Sequence, residues 1–229
     1  MRLAAPIDYT DSSTLRVGLG QTPIVVSFSG GKDCVAAWQA LRESGANVVA
    51  AVYLYLVPGL SFVESHLDRC ERQFGVAIER WPHPSLNRML RNGVFQPPTH
   101  RRASDALPSW TMPRMDKWVQ RRWPGSLLAL GARVTDNLTR RVASKHHHAE
   151  YNRKRRTLWP IYDWTTEQTI EAVRRSGCRL SAEYRMFGRT FDGVHHQYLE
   201  PIREHYPDDY AKILRWFPMA DMEFTRRAL

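Results

Sequence analysis

Apolar residues in the first third of the chain alternate between short continuous runs and helical spacing, and this alternation restricts the possible folds. Residues 24–28 form a β-rich apolar run, and residues 33–44 then carry apolar side chains at helical spacing before Gly45. The alternation continues with residues 48–56, 61–74 and 76–80. A strand-helix-strand-helix-strand order predicts a parallel sheet with right-handed crossovers, and such sheets bind ligands at the carboxyl ends of their strands.

The chain beyond residue 80 adds two strands, a capped helix and one broken segment. Residues 127–130 and 157–161 are predicted as strands, and a Thr-Thr-Glu-Gln capping box at Thr165 predicts a helix that is closed by Gly177. Residues 82–113 are rich in Pro, Arg and Asn. This segment is too broken for regular structure throughout, and its length predicts a functional loop.

The predicted fold class is therefore α/β, a three-layer, doubly wound and mainly parallel sheet. It has a basic loop insertion and a helical C-terminal extension, because prolines interrupt the helical patterns of residues 199–217. The sequence predicts an N-terminal arm over residues 1–22, a central domain over 23–184 and the extension over 185–229.

Two segments hold the whole positive charge excess of the chain, whose formal net charge is +10 at pH 7. Residues 86–123 contain eight Lys or Arg against two Asp, and residues 139–158 contain seven against one Glu, which gives +6 for each. Such segments favour an anionic partner, including nucleic acid, although a solvated basic surface has the same composition.

Targeting signals and cysteine pairs are both missing from the sequence. No apolar stretch has the length of a membrane span, and the N-terminal residues lack the apolar run of a secretory signal, so a cytoplasmic location is expected. Cys34, Cys70 and Cys178 are widely separated and form no Cys-x-x-Cys pair. This spacing argues against a disulfide framework, a zinc ribbon and an iron-sulfur cluster, and no metal-binding residues are predicted.

A glycine turn stands where the first predicted strand passes into the first helix, and its sequence is Ser29-Gly30-Gly31-Lys32-Asp33. The two glycines allow a tight turn with exposed N-H groups, the helix N-terminus adds partial positive charge, and Lys32 adds a full one. These features predict a phosphate-binding loop. It is not a Walker loop, whose two glycines are separated by four residues.

Two downstream segments accompany this loop: Leu130-Gly131-Ala132-Arg133 with Asp136 and Arg140, and Trp159-Pro160-Ile161-Tyr162-Asp163-Trp164-Thr165. The loop resembles the Ser-Gly-Gly-Lys-Asp-Ser signature of the PP-loop superfamily of adenine-nucleotide-binding enzymes. The downstream segments are similar to the Gly-x-Arg and Pro-Leu/Ile-x-x-Trp-Thr elements of its PAPS reductase-like family. The resemblance covers about residues 24–184 and implies a Rossmann-like domain of the PP-loop type.

Three departures from that family bear on activity. Cys34 replaces the last Ser of the loop, so a weaker thiol partner stands where the family has a hydroxyl, and Asn137 stands where a Ser is usual. The sulfonucleotide reductases end in a Glu-Cys-Gly-x-His segment whose cysteine takes up sulfite, whereas this chain has no cysteine after Cys178. The thiol nucleophile of reductase chemistry is therefore missing.

The resemblance implies an enzyme that binds ATP, cleaves between the α and β phosphates, transfers AMP to a substrate oxygen and releases pyrophosphate. The implied cofactors are ATP and Mg²⁺, without an iron-sulfur cluster. The second substrate is expected to be a nucleic acid that contacts the Arg and Lys residues of 86–123 and 139–158. Two alternatives stay open, which are a PAPS or APS reductase and a binding module for nucleotides or nucleic acids with a decayed site.

The resemblance also assigns the site residues. Lys32 and the backbone of Gly30 and Gly31 bind pyrophosphate, Asp33 helps place the metal, and the arginines neutralise developing charge. The catalytic residues are Lys32, Asp33, Arg133 and Arg140. The nucleotide-binding residues are Ser27, Ser29, Gly30, Gly31, Lys32, Asp33, Cys34 and Gly131.

Several other side chains allow two interpretations each. Cys34 either has a depressed pKa beside the helix N-terminus or simply takes the place of the family's serine. His146 to His148 form a basic loop or, less readily for adjacent histidines, a metal site. Trp110, Trp118 and Trp123 either stack on bases or pack into the core. His195 and His196 act in acid-base chemistry or in structure.

Overall fold

The computed structural model describes residues 19–100, 107–134, 151–152 and 155–228. By its contacts the chain divides into two compact units of three segments each. The first unit consists of residues 1–53, 69–79 and 116–179, and the second of residues 54–68, 80–115 and 180–229. The predicted division into an arm, a central domain and an extension stays a prediction, and residues 1–18 of the arm lie outside the described residues.

One mixed sheet contains the strands of the described chain. They are β1 (Ile24–Ser27), β2 (Val48–Tyr55), β3 (Ile78–Pro82), β4 (Leu127–Leu130), β5 (Tyr151–Asn152) and β6 (Thr157–Leu158). Their order across the sheet is β3-β2-β1-β4-β6-β5. β1 is parallel to β2 and β4, β4 is parallel to β6, and β5 is antiparallel to β6. The predicted α/β class with a mainly parallel sheet is thus confirmed.

The strand order creates a switch point between β1 and β4. From β1 the chain moves outwards through β2 to β3, and it then returns to the other side of β1 with β4. Crossovers on the two sides of β1 run in opposite directions, so a crevice opens at the carboxyl ends of β1 and β4. Both strands are almost fully buried up to their last residues, Ser27 and Leu130.

Helices flank the sheet, and small side chains join two of them. α1 (Lys32–Glu43) follows β1, and α5 (Thr166–Ser176) follows β6. Ala36, Ala37 and Ala40 of α1 form a buried cluster with Ile161 and Ala172. Since alanine side chains keep helices close, this cluster sets the position of α5 beside α1.

The remaining helices of the described chain are α2 (Ser61–Phe74), α3 (Pro84–Arg91), α4 (Met112–Arg122), α6 (Ala182–Phe187), α7 (His196–His205), α8 (Pro207–Trp216) and α9 (Met222–Ala228). Sequence and structure give the same bounds for α2. The predicted capping box of α5 is present, because the Thr165 hydroxyl accepts from Gln168 N-H and the Gln168 side chain accepts from Thr165 N-H. Gly177 closes α5 in a left-handed conformation, with φ of 71°.

The segment 82–113 is more regular than its composition predicts. It contains α3, whose first helical residue is a proline, and a short 3-10 turn over Pro98–His100. Proline is favourable at a helix start because its missing N-H has no partner there in any helix. The expectation of a long irregular loop is therefore wrong for residues 84–91.

The second unit has an aromatic core of its own. The Phe62 ring contacts the rings of Phe191 and Tyr206, and Tyr198 packs edge-on against Phe187. The carboxylate of Asp209 is buried and accepts hydrogen bonds from the backbone N-H and the hydroxyl of Ser61 at 2.7 Å each. These bonds satisfy the first N-H of α2, which residue 61 begins.

None of the helices in the described ranges is long and apolar enough to cross a membrane.

Candidate active site

The candidate site lies at the switch point of the sheet, where the loops after β1 and β4 leave neighbouring strands. Ser27 and Leu130 are aligned in the parallel register of these strands. The two motifs that sequence places about a hundred residues apart therefore start side by side. The structure brings together the Gly-Gly-Lys-Asp loop and the Gly-x-Arg segment.

The loop after β1 has the geometry that its glycines predict. Gly30 has a φ of 75°, a left-handed conformation that favours glycine, and Gly31 is the residue that precedes α1. Gly31 has no side chain to cap the helix, and α1 begins without a side-chain cap, in contrast to α5. A helix start of this kind suits a phosphate oxygen as its cap.

Three charged side chains meet at this helix start. Lys32 Nζ lies 2.7 Å from Asp33 Oδ2, and Arg133 Nε lies 3.1 Å from Asp33 Oδ1. The Arg133 contact is an ion pair whose angle is too poor for a hydrogen bond at those two atoms. Asp33 thus lies between two cations, and the three groups together carry a formal charge of +1.

Arg133 is far more buried than an arginine usually is, with 7% of its surface exposed. Besides its ion pair with Asp33, it donates from Nη1 to the Thr166 hydroxyl at 3.3 Å. It therefore joins the end of β4 to the first turns of α1 and α5. The predicted role of Arg133 toward developing charge stays a prediction, and what its ion pair does in the structure is to hold Asp33 in position.

Gly131 lies against the backbone of the first turn of α1. A Cβ atom added there would lie 2.5 Å from Cys34 Cα and 2.6 Å from Cys34 N. Real Cβ atoms do not approach backbone atoms this closely, so only glycine fits at this position. The Gly-x-Arg motif consequently has a packing role beside any role in binding.

The Cys34 thiol is buried within the loop. It donates to the Gly31 carbonyl at 3.0 Å and accepts from the Ser29 hydroxyl at 3.4 Å. Burial raises the pKa of Cys34 to about 11, against a smaller lowering by the hydrogen bond from Ser29. Of the two interpretations, this environment favours a thiol that replaces the family's serine, since a reactive cysteine needs a depressed pKa.

We expect Cys34 to resist alkylation in the folded protein at pH 8, because only the thiolate attacks iodoacetamide and the folded-state pKa lies well above that pH. Labelling followed by peptide mass spectrometry measures this directly. Protein unfolded in guanidinium chloride is the control and should label at Cys34 within the same time. Rapid labelling of Cys34 in the native protein would restore the reactive-thiol interpretation.

Cys70 and Cys178 face each other inside the first unit. Their sulfur atoms are 3.2 Å apart and both residues are buried. The hydrogen bond between the thiols raises the pKa of Cys70 and lowers that of Cys178. The sequence predicts packing roles for both, and the structure adds that they pack against one another.

The other predicted site residues fall into two groups. Ser27 ends β1, and Ser29 stands in the loop beside Cys34. Four predicted positions or sets lie outside the described residues, and these are Asp136, Asn137, Arg140 and His146 to His148.

The structure shows the surroundings of two tryptophans and two histidines for which the sequence allowed two interpretations. Trp118 is 45% exposed on α4 and is not a core residue. Trp110 is half-buried, and its indole N-H donates to the Pro82 carbonyl at 2.9 Å. His195 precedes α7 without capping it through its side chain. The His196 ring packs edge-on against Phe224, a structural contact.

Part of the second basic segment is occupied by structural contacts. Arg155 forms an ion pair with Asp116 at 2.7 Å, and Arg156 donates from Nε to the Ser126 carbonyl at 3.0 Å. Residues 153 and 154 lie outside the described residues. In the first segment Arg122 pairs with Glu79 at 3.2 Å. Net charge counted along the sequence therefore overstates the charge that is available to a partner.

Three contacts in the site were not predicted from the sequence. Thr166 was considered only as a part of the capping box, but it also accepts from Arg133. The contact of Gly131 with α1 was not predicted either, although the glycine itself was an available signal. The ion pair between Asp33 and Arg133 joins residues a hundred positions apart, and no local pattern announces it.

No protein-family model and no curated protein sequence matches this chain. Among solved structures it is similar to the U34-tRNA thiolase NcsA from Methanococcus maripaludis with its [4Fe-4S] cluster. The identity is 12%, the match covers 92% of this chain and 78% of that one, and the TM-score is 0.47. It is also similar to NAD⁺ synthetase from Burkholderia pseudomallei, with 14% identity, 94% and 93% coverage and a TM-score of 0.39.

Both identities lie below 25% and both TM-scores below 0.5, so these similarities do not test the predicted PP-loop family. The narrower PAPS reductase-like assignment is not confirmed by them. At these identities and TM-scores the similarities concern the fold, and nothing about the activity of this chain is derived from them.

The cofactor prediction is corrected by the thiolase. The spacing of Cys34, Cys70 and Cys178 was taken to exclude an iron-sulfur cluster, and this exclusion is contradicted by the structurally similar thiolase, which carries a [4Fe-4S] cluster. Within the described ranges, no three His, Cys, Asp or Glu side chains are grouped so that they could hold a metal ion.

Proposed function

We propose that this chain is an ATP-dependent enzyme that transfers AMP from ATP to an acceptor and releases pyrophosphate. The observation that carries the proposal is the uncapped start of α1, together with Lys32 at the switch point of a parallel sheet. A glycine turn, helix N-H groups and a lysine within one loop suit the phosphates of a nucleotide.

The reaction is a substitution at the α phosphorus. The acceptor oxygen forms a bond to this phosphorus, and the acceptor proton passes to water. The bond between the α phosphorus and the bridging oxygen of the β phosphate breaks. Pyrophosphate leaves with the electron pair of the broken bond. The negative charge that grows on the leaving group is stabilised by Lys32 and the N-terminal N-H groups of α1. For this the Lys32 ammonium exchanges its contact with Asp33 for a phosphate oxygen.

Arg133 acts mainly through Asp33 in this proposal. Its buried guanidinium keeps the Asp33 carboxylate beside the loop when Lys32 turns to the nucleotide. Without it, a carboxylate close to the phosphates would be unpaired and would repel them. Arg140 lies outside the described residues, and its contribution remains as the resemblance implies it.

The acceptor in this proposal is a nucleic acid. The support is the basic composition of residues 86–123, of which Arg88, Arg91, Arg114, Lys117 and Arg121 are exposed. The phosphate groups of a nucleic acid attract such side chains. Each contact releases counterions from the nucleic acid, and this release provides affinity without sequence specificity.

Isotope exchange between ATP and radiolabelled pyrophosphate tests the proposal. Reversible transfer of AMP returns label to ATP, whereas cleavage between the β and γ phosphates does not. The reaction is run with and without RNA or DNA, and its products are identified as pyrophosphate with AMP joined to the acceptor, or as ADP with phosphate. Exchange, or nucleic acid that carries AMP, supports the proposal. Formation of ADP, or no turnover with any acceptor despite ATP binding, contradicts it.

The reductase alternative makes a distinct prediction. We expect the purified protein with a dithiol reductant to form no sulfite from PAPS or APS above background. Uptake of sulfite needs a thiolate in the tail, and residues 179–229 contain no cysteine, while Cys178 is buried against Cys70. Sulfite formed in proportion to enzyme would overturn this reasoning, and protein with its cysteines alkylated after unfolding serves as the blank.

A further inference from the structure

A second cavity lies within the second unit and has a volume of about 420 Å³. None of the predicted catalytic or nucleotide-binding residues within the described ranges lines it. Its walls come from α3 along its length, from Asn92 just after this helix, and from the segment that leads into α4. The lining side chains that bear on its ligand are His83, Asn87, Arg88, Arg91, Asn92 and Trp110.

One wall of this cavity is fixed by hydrogen bonds. The Asn87 side chain accepts a hydrogen bond from the backbone N-H of Trp110 at 2.8 Å and donates one to the Pro108 carbonyl at 3.0 Å. The Trp110 indole N-H donates to Pro82 at 2.9 Å. These three bonds hold the indole ring in place, so a flat aromatic surface is present before any ligand arrives.

The charged side chains among the described residues that line the cavity are both positive. Arg88 and Arg91 are exposed, and neither forms an ion pair within the part of the chain that the structure describes. They are three residues apart on α3, so both lie on the same side of the helix. Among the residues that the structure describes, no Asp or Glu lines the cavity. Two guanidinium groups without a carboxylate suit phosphate, which they bind in a bidentate manner.

His83 adds a neutral donor to this wall. Its Nδ1 accepts a hydrogen bond from Ser85 N-H at 2.9 Å, so the ring proton lies on Nε2. Burial, with a contribution from Arg88, lowers the pKa of His83 and keeps the ring uncharged at neutral pH. The described polar residues that line the cavity are then two cations, a neutral imidazole, two amides (Asn87 and Asn92) and three hydroxyl residues (Ser85, Ser109 and Thr111).

We propose that this cavity binds a nucleotide unit of a single-stranded nucleic acid, with a base on Trp110 and phosphates on Arg88 and Arg91. Stacking on an aromatic side chain next to a cationic groove is how single strands are bound without sequence preference. The inference rests on the proposed function in one respect: it takes the bound strand to be the acceptor. Binding itself does not depend on ATP.

Fluorescence anisotropy with short labelled single-stranded RNA and DNA, without ATP, tests this site. Arg88→Ala with Arg91→Ala should weaken binding about ten-fold or more. It should also flatten the dependence of log K on log salt by about 1.4, since each lost phosphate contact to a single strand contributes about 0.7. Trp110→Phe should retain most of the affinity and Trp110→Ala should lose about ten-fold, with little change in the salt dependence.

The matched control removes the same charge elsewhere in the second unit. Arg185→Ala with Arg215→Ala changes two exposed arginines that do not line the cavity, and it should leave oligonucleotide affinity within about two-fold. Melting temperatures of all variants exclude misfolding as the cause. An equal loss in the control pair, or no binding of either strand by the wild type at low salt, overturns the proposal.

Competition with mononucleotides distinguishes the two sources of the ligand. If AMP or UMP displaces the labelled strand at concentrations close to those of the unlabelled strand, the cavity binds free nucleotides and the proposal of a strand is overturned. If displacement needs a much higher concentration of AMP or UMP than of unlabelled strand, the proposal that the cavity binds a strand is supported. If pyrophosphate exchange is absent but the strand still binds through Arg88 and Arg91, the proposed function alone is contradicted. The inference of a strand-binding cavity then stands.

Discussion

Replacement of Gly131 by alanine is expected to destabilise the protein by about 3 kcal/mol and to abolish nucleotide binding. The added methyl group would lie 2.5 Å from Cys34 Cα and 2.8 Å from the Asp33 carbonyl carbon. Both are backbone atoms of a helix start, which cannot swing aside as a side chain does. Overpacking of a well-packed region costs about 1–3 kcal/mol, and this site stands at the upper end.

A decrease of roughly 6–12 °C in melting temperature corresponds to that loss for a chain of this length. Gly193→Ala is the matched control. There an added Cβ would meet the side chain of His195 at 2.9 Å, and a side chain can move away. We expect the control to melt within about 3 °C of the wild type. Equal effects of the two substitutions would show that the contact between Gly131 and α1 is not tight in solution.

Lys32→Ala is expected to weaken ATP binding about ten-fold to a hundred-fold while the fold stays intact. A charge-assisted hydrogen bond contributes about 1.5–3 kcal/mol, and each 1.4 kcal/mol is a factor of ten in affinity. The side chain is about a third exposed, at 31%, so its removal leaves no large cavity. Thermal-shift titration with ATP, checked by calorimetry, measures the loss.

Two further variants make the Lys32 result interpretable. Lys32→Arg keeps the positive charge and should retain more affinity than Lys32→Ala, although its fork cannot reproduce the point charge of an ammonium. Lys117→Ala removes a lysine that is exposed on α4 and should bind ATP like the wild type. An unchanged ATP affinity in Lys32→Ala would remove the assignment of residues 29–33 as a phosphate-binding loop.

Local patterns explain why so much of the fold was predictable. The apolar run at 24–28 and the capping box at Thr165 are signals within a few residues, and the structure confirms the strand and the helix that they predict. The segment around α3 was missed because its Pro, Arg and Asn content indicates a loop, whereas the single proline at the helix start is favourable.

The site was predictable to a smaller extent for a physical reason. The chemical character of residues 29–33 follows from their types, since phosphate binding needs glycines, a helix start and a cation. The position of Arg133 beside Asp33 depends instead on the register of β1 with β4, which pairs residues a hundred positions apart. The cavity beside Trp110 depends on three hydrogen bonds that no periodicity encodes.

The contacts of Arg133 bear on the relative affinity of the site for different anions. Its guanidinium contacts Asp33 in the first turn of α1 and Thr166 in the first turn of α5, so the positive N-terminal ends of two helix dipoles lie next to it. The fields of these two helix ends add to the field of the charged side chains of Lys32, Asp33 and Arg133. The combined field decreases steeply with distance. If the site binds nucleotides as proposed, we expect their affinities to follow their negative charge, with ATP bound more tightly than ADP and ADP more tightly than AMP. We expect higher ionic strength to reduce these differences.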